Sequence, residues 1–440
     1  MSAVRVPRRS DTINIMPRED WHGEGDDAGE PLAYIPPLVS GKAFLPLHHH
    51  PVIGLSLVLI AACAAQIVVW VVSQRLLTLS GVEGSAAVLH GGLFELLRLS
   101  VGRVWPAQTE AVLFVVCLSA ALLSAVGWYG AARVVLGPPW GFWTALVWVL
   151  HPAFAFLAQR PAPLSLAFLL TPFSLWALVS WRRSSRATTT WLAGVGLAAI
   201  GLVGFQGWLL LPLVLPAISV APYSPRKRLA GVGMLLAGFV LVVGAGWWAL
   251  AGTPFIEGLP GRAAHNLRVH LDDGDMAEAA RQQLAADSER GHLAPITFLL
   301  SELRSAPADT LRWLGRRLTR TVYATSGGQL QRPLFALQVA LILPALWGWI
   351  VACRHQQWRW SAVVGAMYVA VFWLIAAIGE PLARNVVPAG GILIMFALVG
   401  FADVYERLFG RSLTRPGAPR RSWRRHESED DLFPDDLPIV

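Results

Sequence analysis

Residues 51–73 read PVIGLSLVLIAACAAQIVVWVVS, with no charged side chain among them. As a helix rising about 1.5 Å per residue, a run of that length spans the ~30 Å hydrocarbon core of a bilayer. Working outward from it, further apolar runs occupy 107–132, 138–157, 162–181, 190–203, 206–221, 229–251, 333–353, 359–379 and 386–404. The composition agrees: 55% of the 440 residues are hydrophobic, 15% are charged, and mean hydropathy is +0.51. Soluble chains carry about a quarter charged residues, so this chain lacks the polar surface to stay dissolved. The expected fold class is all-α: a polytopic membrane protein of about ten transmembrane helices, with an interfacial helix and a small helical extracytoplasmic loop layer.

The charges set the orientation. If the N-terminus is cytoplasmic, the inside loops hold Arg133, then Arg182, Arg183 and Arg186, then Arg226, Lys227 and Arg228, then Arg354. The outside turns hold little beyond Arg160 and Arg384. The positive-inside rule therefore predicts ten crossings with both ends cytoplasmic. The net charge of +8 lies mostly in these short loops and in the basic tail, so no nucleic-acid partner is expected. Residues 190–221 lie between two Arg-rich inside loops and must cross an even number of times. At about 16 residues per crossing they fall short of the usual ~20, and two short helices or a re-entrant hairpin both fit.

Residues 1–50, polar and Pro-rich and without a signal peptide, read as a disordered cytoplasmic tail. Residues 406–440, basic and then acidic, read as a second one. The domain between them, 51–405, includes two large outside segments. The first, 74–106, predicts an interfacial helix over about 84–101, with Leu89, Leu93, Leu96 and Leu97 on one face and Glu95 pairing with Arg98 at i,i+3. The second, 253–331, predicts helices near 276–287, 294–305 and 308–323, the last carrying Arg312, Arg316, Arg317 and Arg320.

The signatures of common soluble enzymes are missing: the chain contains no HExxH, CxxC, G-x-x-x-x-G-K-[ST] or G-x-S-x-G. Cys63, Cys117 and Cys353 give neither a disulfide framework nor a zinc spacing. His265 and His270 with Asp272, Asp273 and Asp275 match no EF-hand or zinc pattern, and an acidic helix N-terminus accounts for the aspartates. No cofactor and no metal site is therefore expected, and a divalent ion is unsupported. Polar residues collect instead at the outer ends of the spans: Glu83, His151, the turn Gln159–Arg160–Pro161, and Glu380 with Arg384 and Asn385. An arginine at such a turn either snorkels to the headgroups or holds a lipid phosphate, the preferred partner of a guanidinium.

Four stretches, in this order and all placed outside, carry a family resemblance. VEGSAAVLHGGLFELLRLSVG (82–102) resembles an acid-containing loop followed by an H-P-P-L-Y-Y-L-L-like segment, with Gly91–Gly92 for the prolines after His90. LVWVLHPAFAFLAQRPAPLSLAFLL (146–170) resembles an S-P-x-x-x…R-P-Y-x-L-x-x-F-L turn, with Gln159 where a second acid often stands. WLAGVGLAAIGLVGFQGWLLLPLVLP (191–216) resembles a short helix pair, with Gln206 near the position of its usual Lys. GEPLARNVVPAGGILIMFALVGF (379–401) resembles the R-Y-x-x-P-x-x-P-x-L-x-L-L element before the terminal spans. Together they are similar to the GT-C superfamily of membrane glycosyltransferases, in the bacterial branch of dolichyl-phosphate-mannose protein mannosyltransferase-like, aminoarabinose and RgtA/B/C/D-type transferases.

The resemblance implies a hexosyl- or pentosyltransferase of the bacterial inner membrane, working on its extracytoplasmic face. Its donor would be a polyprenyl-phosphate-linked sugar, and its acceptor an extracytoplasmic lipid, glycan or protein. Glu83 matches the catalytic acid, and substrate binding would fall to Arg160, Arg384, Asn385, His90 and Gln159. Membrane lipids complete the partners. Two alternatives stay open from the residues alone: a catalytically degenerate scaffold on the same fold, and a lipid or solute transporter.

Overall fold

The computed structural model describes residues 51–80, 92–159, 163–204, 206–221, 223–251, 294–323, 331–378 and 383–409, all within the compact unit Pro36–Val440. Every regular element among them is helical. In chain order they are α1 (Pro51–Ser80), α2 (Gly92–Val104), α3 (Thr109–Leu136), α4 (Pro138–Leu150), α5 (Pro152–Leu157), α6 (Pro163–Ser184), α7 (Ala187–Val203) and α8 (Gln206–Ser219). There follow α9 (Pro225–Leu250), α10 (Ala294–Ser305), α11 (Pro307–Tyr323), α12 (Gln331–Arg354), α13 (Gln356–Ile378) and α14 (Gly390–Phe409), with two 3-10 turns, Ala383–Asn385 and Val387–Ala389, before α14. Tails 1–50 and 410–440 and the helix expected near 276–287 lie outside the described residues. The last helix runs to Phe409, past the expected domain end at 405.

The chain is an all-α, multi-pass membrane protein. Seven described helices (α1, α3, α6, α9, α12, α13 and α14) are long and apolar enough to cross a bilayer. That is fewer than the ten crossings read from the apolar runs, and the shortfall has local causes. Pro152 lacks an N–H and disfavours helical backbone in the residue before it. His151 accordingly sits extended at φ −66°, ψ 118° and splits the run 138–157 into α4 and α5. Gly204, also extended, ends α7 after 17 residues, and α8 adds only 14. At roughly 1.5 Å per residue neither reaches across ~30 Å.

The Arg-rich loops meet at one end of the bundle. The Tyr223 hydroxyl donates to the Arg182 carbonyl (2.6 Å), Arg228 donates to the carbonyls of Tyr223 (2.6 Å) and Ser219 (3.1 Å), and the Trp360 indole donates to the Ala217 carbonyl (2.8 Å). At the same end Trp347 donates to Asp403 (2.7 Å), which also pairs with Arg407 (2.8 Å), clamping α12 to α14. Between α3 and α4 the reversal is made by Gly137, whose φ of 108° is left-handed backbone that a side chain resists. Its N–H caps the Arg133 carbonyl (3.1 Å).

Between the ends runs a continuous apolar core that includes Trp128, Trp148, Phe154, Phe168, Tyr368 and Phe372. Large apolar side chains also face outward, among them Ile60, Ile67 and Val68 on α1 and Val240 and Leu241 on α9. Exposed in this number they fit lipid rather than water. Trp105, Trp247 and the 82%-exposed Trp248 lie at helix ends away from the Arg-rich loops, where amphipathic indoles line a membrane interface.

In α2, Glu95 and Arg98 pair in two bonds (2.7 and 3.0 Å). That hydrogen bond, with the carboxylate's charge behind it, holds the Arg98 guanidinium above its ordinary pKa. The buried seam of α2 is Phe94 with Val101, seven residues apart, whereas Leu93, Leu96 and Leu97 are only partly covered. The expected leucine face is thus rotated, because α2 packs onto neighbouring helices rather than lying only on lipid.

Helix α11 packs on α12, α13 and the first 3-10 turn through Trp313, Arg317 and Thr321, one four-residue row, with Arg312 and Arg316 exposed on other sides. Arg317 is 1% exposed. Its Nε donates to the Ala377 carbonyl (2.6 Å), and its guanidinium lies 4.9 Å from the Trp313 ring. Ala377 is in the last turn of α13, where carbonyls have no partner within the helix and a cation complements the dipole.

Candidate functional site

A small cavity opens at the bundle end opposite the Arg-rich loops, with about 20 Å³ of enclosed room, the scale of a single water. Its walls come from elements far apart in sequence. The α4–α5 break supplies His151, with Trp148 one turn below, and α11 supplies Thr321. Gln338 of α12 and Trp373 of α13 face it, and the two 3-10 turns with the start of α14 close the remaining side. Helix breaks and turns with irregular backbone are tolerated at such depth where they line a cavity.

His151 stands out. It is buried, and neither ring nitrogen has a hydrogen-bond partner among the described residues. Buried polar atoms are nearly always paired, and an unpaired one costs about 1–3 kcal/mol. Its ring is placed by Pro152, which turns the chain out of the helix just where the cavity begins. Beneath it, Trp148 is held by its indole bond to Ser124 (2.8 Å) and by edge contacts to Trp128 (ring centroids 5.8 Å) and Phe168 (6.0 Å). The Thr321 hydroxyl donates to the Leu318 carbonyl (2.6 Å), which leaves its oxygen as an acceptor.

Arg384 and Asn385 lie on the first 3-10 turn, half-buried, directly after the cavity residue Ala383. Gln159 is engaged elsewhere: its amide donates to the Gln66 carbonyl (2.6 Å) and ties the outer turn to α1. Glu83, His90, Arg160 and Glu380 lie outside the described residues, as do His265, His270 and their aspartates. Among the described residues no cluster of three His, Cys, Asp or Glu could hold a metal ion.

Comparison with protein-family models and with curated proteins returns no match. The chain's own residues therefore carry the functional reading. Of the sequence-derived candidates, the structure brings Arg384 and Asn385 to the cavity's edge. His151 lines it, and Thr321, Gln338 and Arg317 come from elements whose relative placement no spacing in the sequence discloses. The one local signal was the His–Pro pair inside an apolar run, a helix break at depth with a polar side chain on it.

Proposed function

We infer that this chain is a membrane glycosyltransferase that moves a hexose or pentose from a polyprenyl-phosphate donor to an extracytoplasmic lipid, glycan or protein acceptor. The single observation that carries most weight is the cavity: it presents the polar side chains of His151, Thr321 and Gln338, lies at the bundle end away from the Arg-rich loops, and is followed in the chain by Arg384 directly after its lining residue Ala383. In this reading the membrane is the bacterial inner membrane and both termini are cytoplasmic. The seven long helices and the broken α4–α5 run cross the membrane, and the short α7–α8 pair enters from the Arg-rich end and returns to it, which keeps the number of crossings even.

Glu83 takes the proton of the acceptor hydroxyl as that oxygen attacks the anomeric carbon. The new C–O bond forms on the face opposite the leaving group, the bond from the anomeric carbon to the phosphate oxygen breaks, and polyprenyl phosphate departs with inversion. Arg384, with Arg160, meets the charge that develops on that phosphate, and a guanidinium matches two phosphate oxygens at once. Asn385 and His90 complete the binding set, while Gln159, bonded to the Gln66 carbonyl, holds the outer turn against α1.

The test is transfer from labelled polyprenyl-phosphate sugars in purified membranes, wild type against Glu83→Gln. Removing a general base lowers the rate by about 10²–10⁴-fold, so transfer is expected to fall to that extent at unchanged protein level. A fully active variant removes Glu83 from the mechanism. Absence of transfer from any donor, with the wild-type protein inserted and intact, points instead to a catalytically silent scaffold on this fold.

A further inference from the structure

The geometry points to a binding site for an anionic phospholipid headgroup at the Arg-rich end of the bundle, around Tyr223, where α6, the α8–α9 connection and α9 meet. This site is independent of the catalytic reading. Between Glu110 and Glu257 the chain has no acidic residue, yet Arg133, Arg182, Arg183, Arg186 and the run Arg226–Lys227–Arg228 all fall in that stretch, at this one pole. The described carboxylates at the same pole are Asp403 and Glu406 of α14, and Asp403 is taken by Arg407 and Trp347. Membrane orientation accounts for arginines scattered through such loops, but not for their convergence on one residue. The Arg182 guanidinium lies 5.7 Å from the centroid of the Tyr223 ring, a contact that places it without using its N–H donors. Arg228 gives its Nε and Nη1 to the carbonyls of Tyr223 and Ser219, which fixes the side chain and leaves other donors of its fork unspent.

Arg226 and Lys227 are exposed in the same turn of α9, which contains no acid of its own. Cations in a first turn oppose the helix dipole and repel one another, so the cluster is unfavourable until an anion joins it. A phosphodiester supplies that anion, and a guanidinium matches two of its oxygens at once. The residues stand at the ends of α6 and α9, both long enough to cross a bilayer, and so at the depth of the headgroups. Beyond them the surface turns apolar: Leu229, Leu236 and Val240 are exposed along one side of α9, and Gly233 among them leaves open space. Acyl chains lie along that strip beneath a headgroup held at the start of the helix. A free anion gains nothing from the strip, which makes the ligand a lipid.

The experiment is native mass spectrometry of the purified full-length protein in neutral detergent, titrated with phosphatidylglycerol and, separately, with phosphatidylcholine. Wild type is expected to bind its first phosphatidylglycerol roughly tenfold or more tightly than phosphatidylcholine. Each basic side chain near an anionic headgroup contributes about fivefold, so Arg226→Gln/Lys227→Gln is expected to lose roughly 25-fold in affinity for phosphatidylglycerol. Its binding of phosphatidylcholine is expected to stay unchanged. Arg354→Gln, at the same pole but at the end of α12, is expected to behave as wild type. Thermal unfolding in the same detergent checks the fold, and if the double variant unfolds early, Arg182→Gln is read in its place. The assignment is overturned if the two lipids bind alike, if the variants at Tyr223 keep the preference, or if Arg354→Gln loses as much, as a diffuse field requires. Displacement of the lipid by inorganic phosphate at equal concentration overturns it too. So does a preference that appears only once Glu427, Glu429, Asp430, Asp431, Asp435 and Asp436 are replaced by amides, since the occupant is then the chain's own acidic segment.

Discussion

Gly348→Leu is expected to abolish stable folding of the membrane domain. Helices α12 and α14 cross so closely that a Cβ at Gly348 would run into the Phe396 carbonyl and lie 2.6 Å from the Gly400 nitrogen. The approach is reciprocal: a Cβ at Gly400 would meet the Pro344 carbonyl and sit 3.0 Å from the Gly348 nitrogen. All four obstacles are backbone atoms, so no rotamer change relieves them and the helices must separate. Overpacking in a core costs about 1–3 kcal/mol and occasionally more; separating two backbones that pack through small residues falls at or above the top of that range. Thermal unfolding in detergent, with the monodisperse fraction after purification, reads the effect. Gly233→Leu and Gly244→Leu are the controls, since a Cβ at either position meets nothing within 4 Å. Their unfolding is expected to match wild type, and a Gly348→Leu protein that unfolds like them would contradict the crossing.

The second large effect is expected from Arg317→Leu. The substitution keeps an apolar side chain against Trp313 but removes the donor that meets the Ala377 carbonyl at the end of α13. A buried acceptor left without its partner costs about 1–3 kcal/mol, and the loss is local because the buried row of α11 is short, with only Trp313 and Thr321 beside Arg317. Hydrogen exchange is therefore expected to rise across Pro307–Tyr323 while the α12–α14 pair stays protected. Sugar transfer should fall with it, because Thr321 of α11 forms part of the cavity wall. Arg317→Lys restores a cation without the planar fork and is expected to recover protection in part. Unchanged exchange in Arg317→Leu would show that this bond does not hold α11 down.

How much of this was readable in advance depends on what the sequence encodes locally. The apolar runs, the helices at 294–305 and 308–323 and the Glu95–Arg98 pair follow from composition and from i,i+3 and i,i+4 spacing, and helices with matching bounds and that ion pair are present. The number of full-length crossings was overestimated because a hydrophobic run does not reveal whether its helix is continuous. His151–Pro152 and Gly204 interrupt two such runs. The leucine face of α2 was misjudged because its neighbours in space, not the bilayer alone, choose which side is covered. Nor could the sequence single out Arg317 from Arg312, Arg316 and Arg320. Only the packing of α11 onto α13 shows which of the four meets a helix end and which face outward.

The cavity carries the same lesson. Its walls come from segments as far apart as residues 148 and 394, and no spacing rule joins them. Arg384 and Asn385 were legible as polar residues at an outer turn, but their nearness to His151 and Thr321 was not.

The most direct test of a membrane enzyme acting at its outer face uses sealed vesicles of both orientations. Each is supplied, from the bulk phase only, with a water-soluble short-chain polyprenyl-phosphate sugar and an acceptor extract, and transfer is counted before and after permeabilisation. The expected result is transfer in right-side-out vesicles, and in inverted vesicles only once they are permeabilised. Transfer confined to intact inverted vesicles would place the chemistry at the Arg-rich end and contradict the proposal.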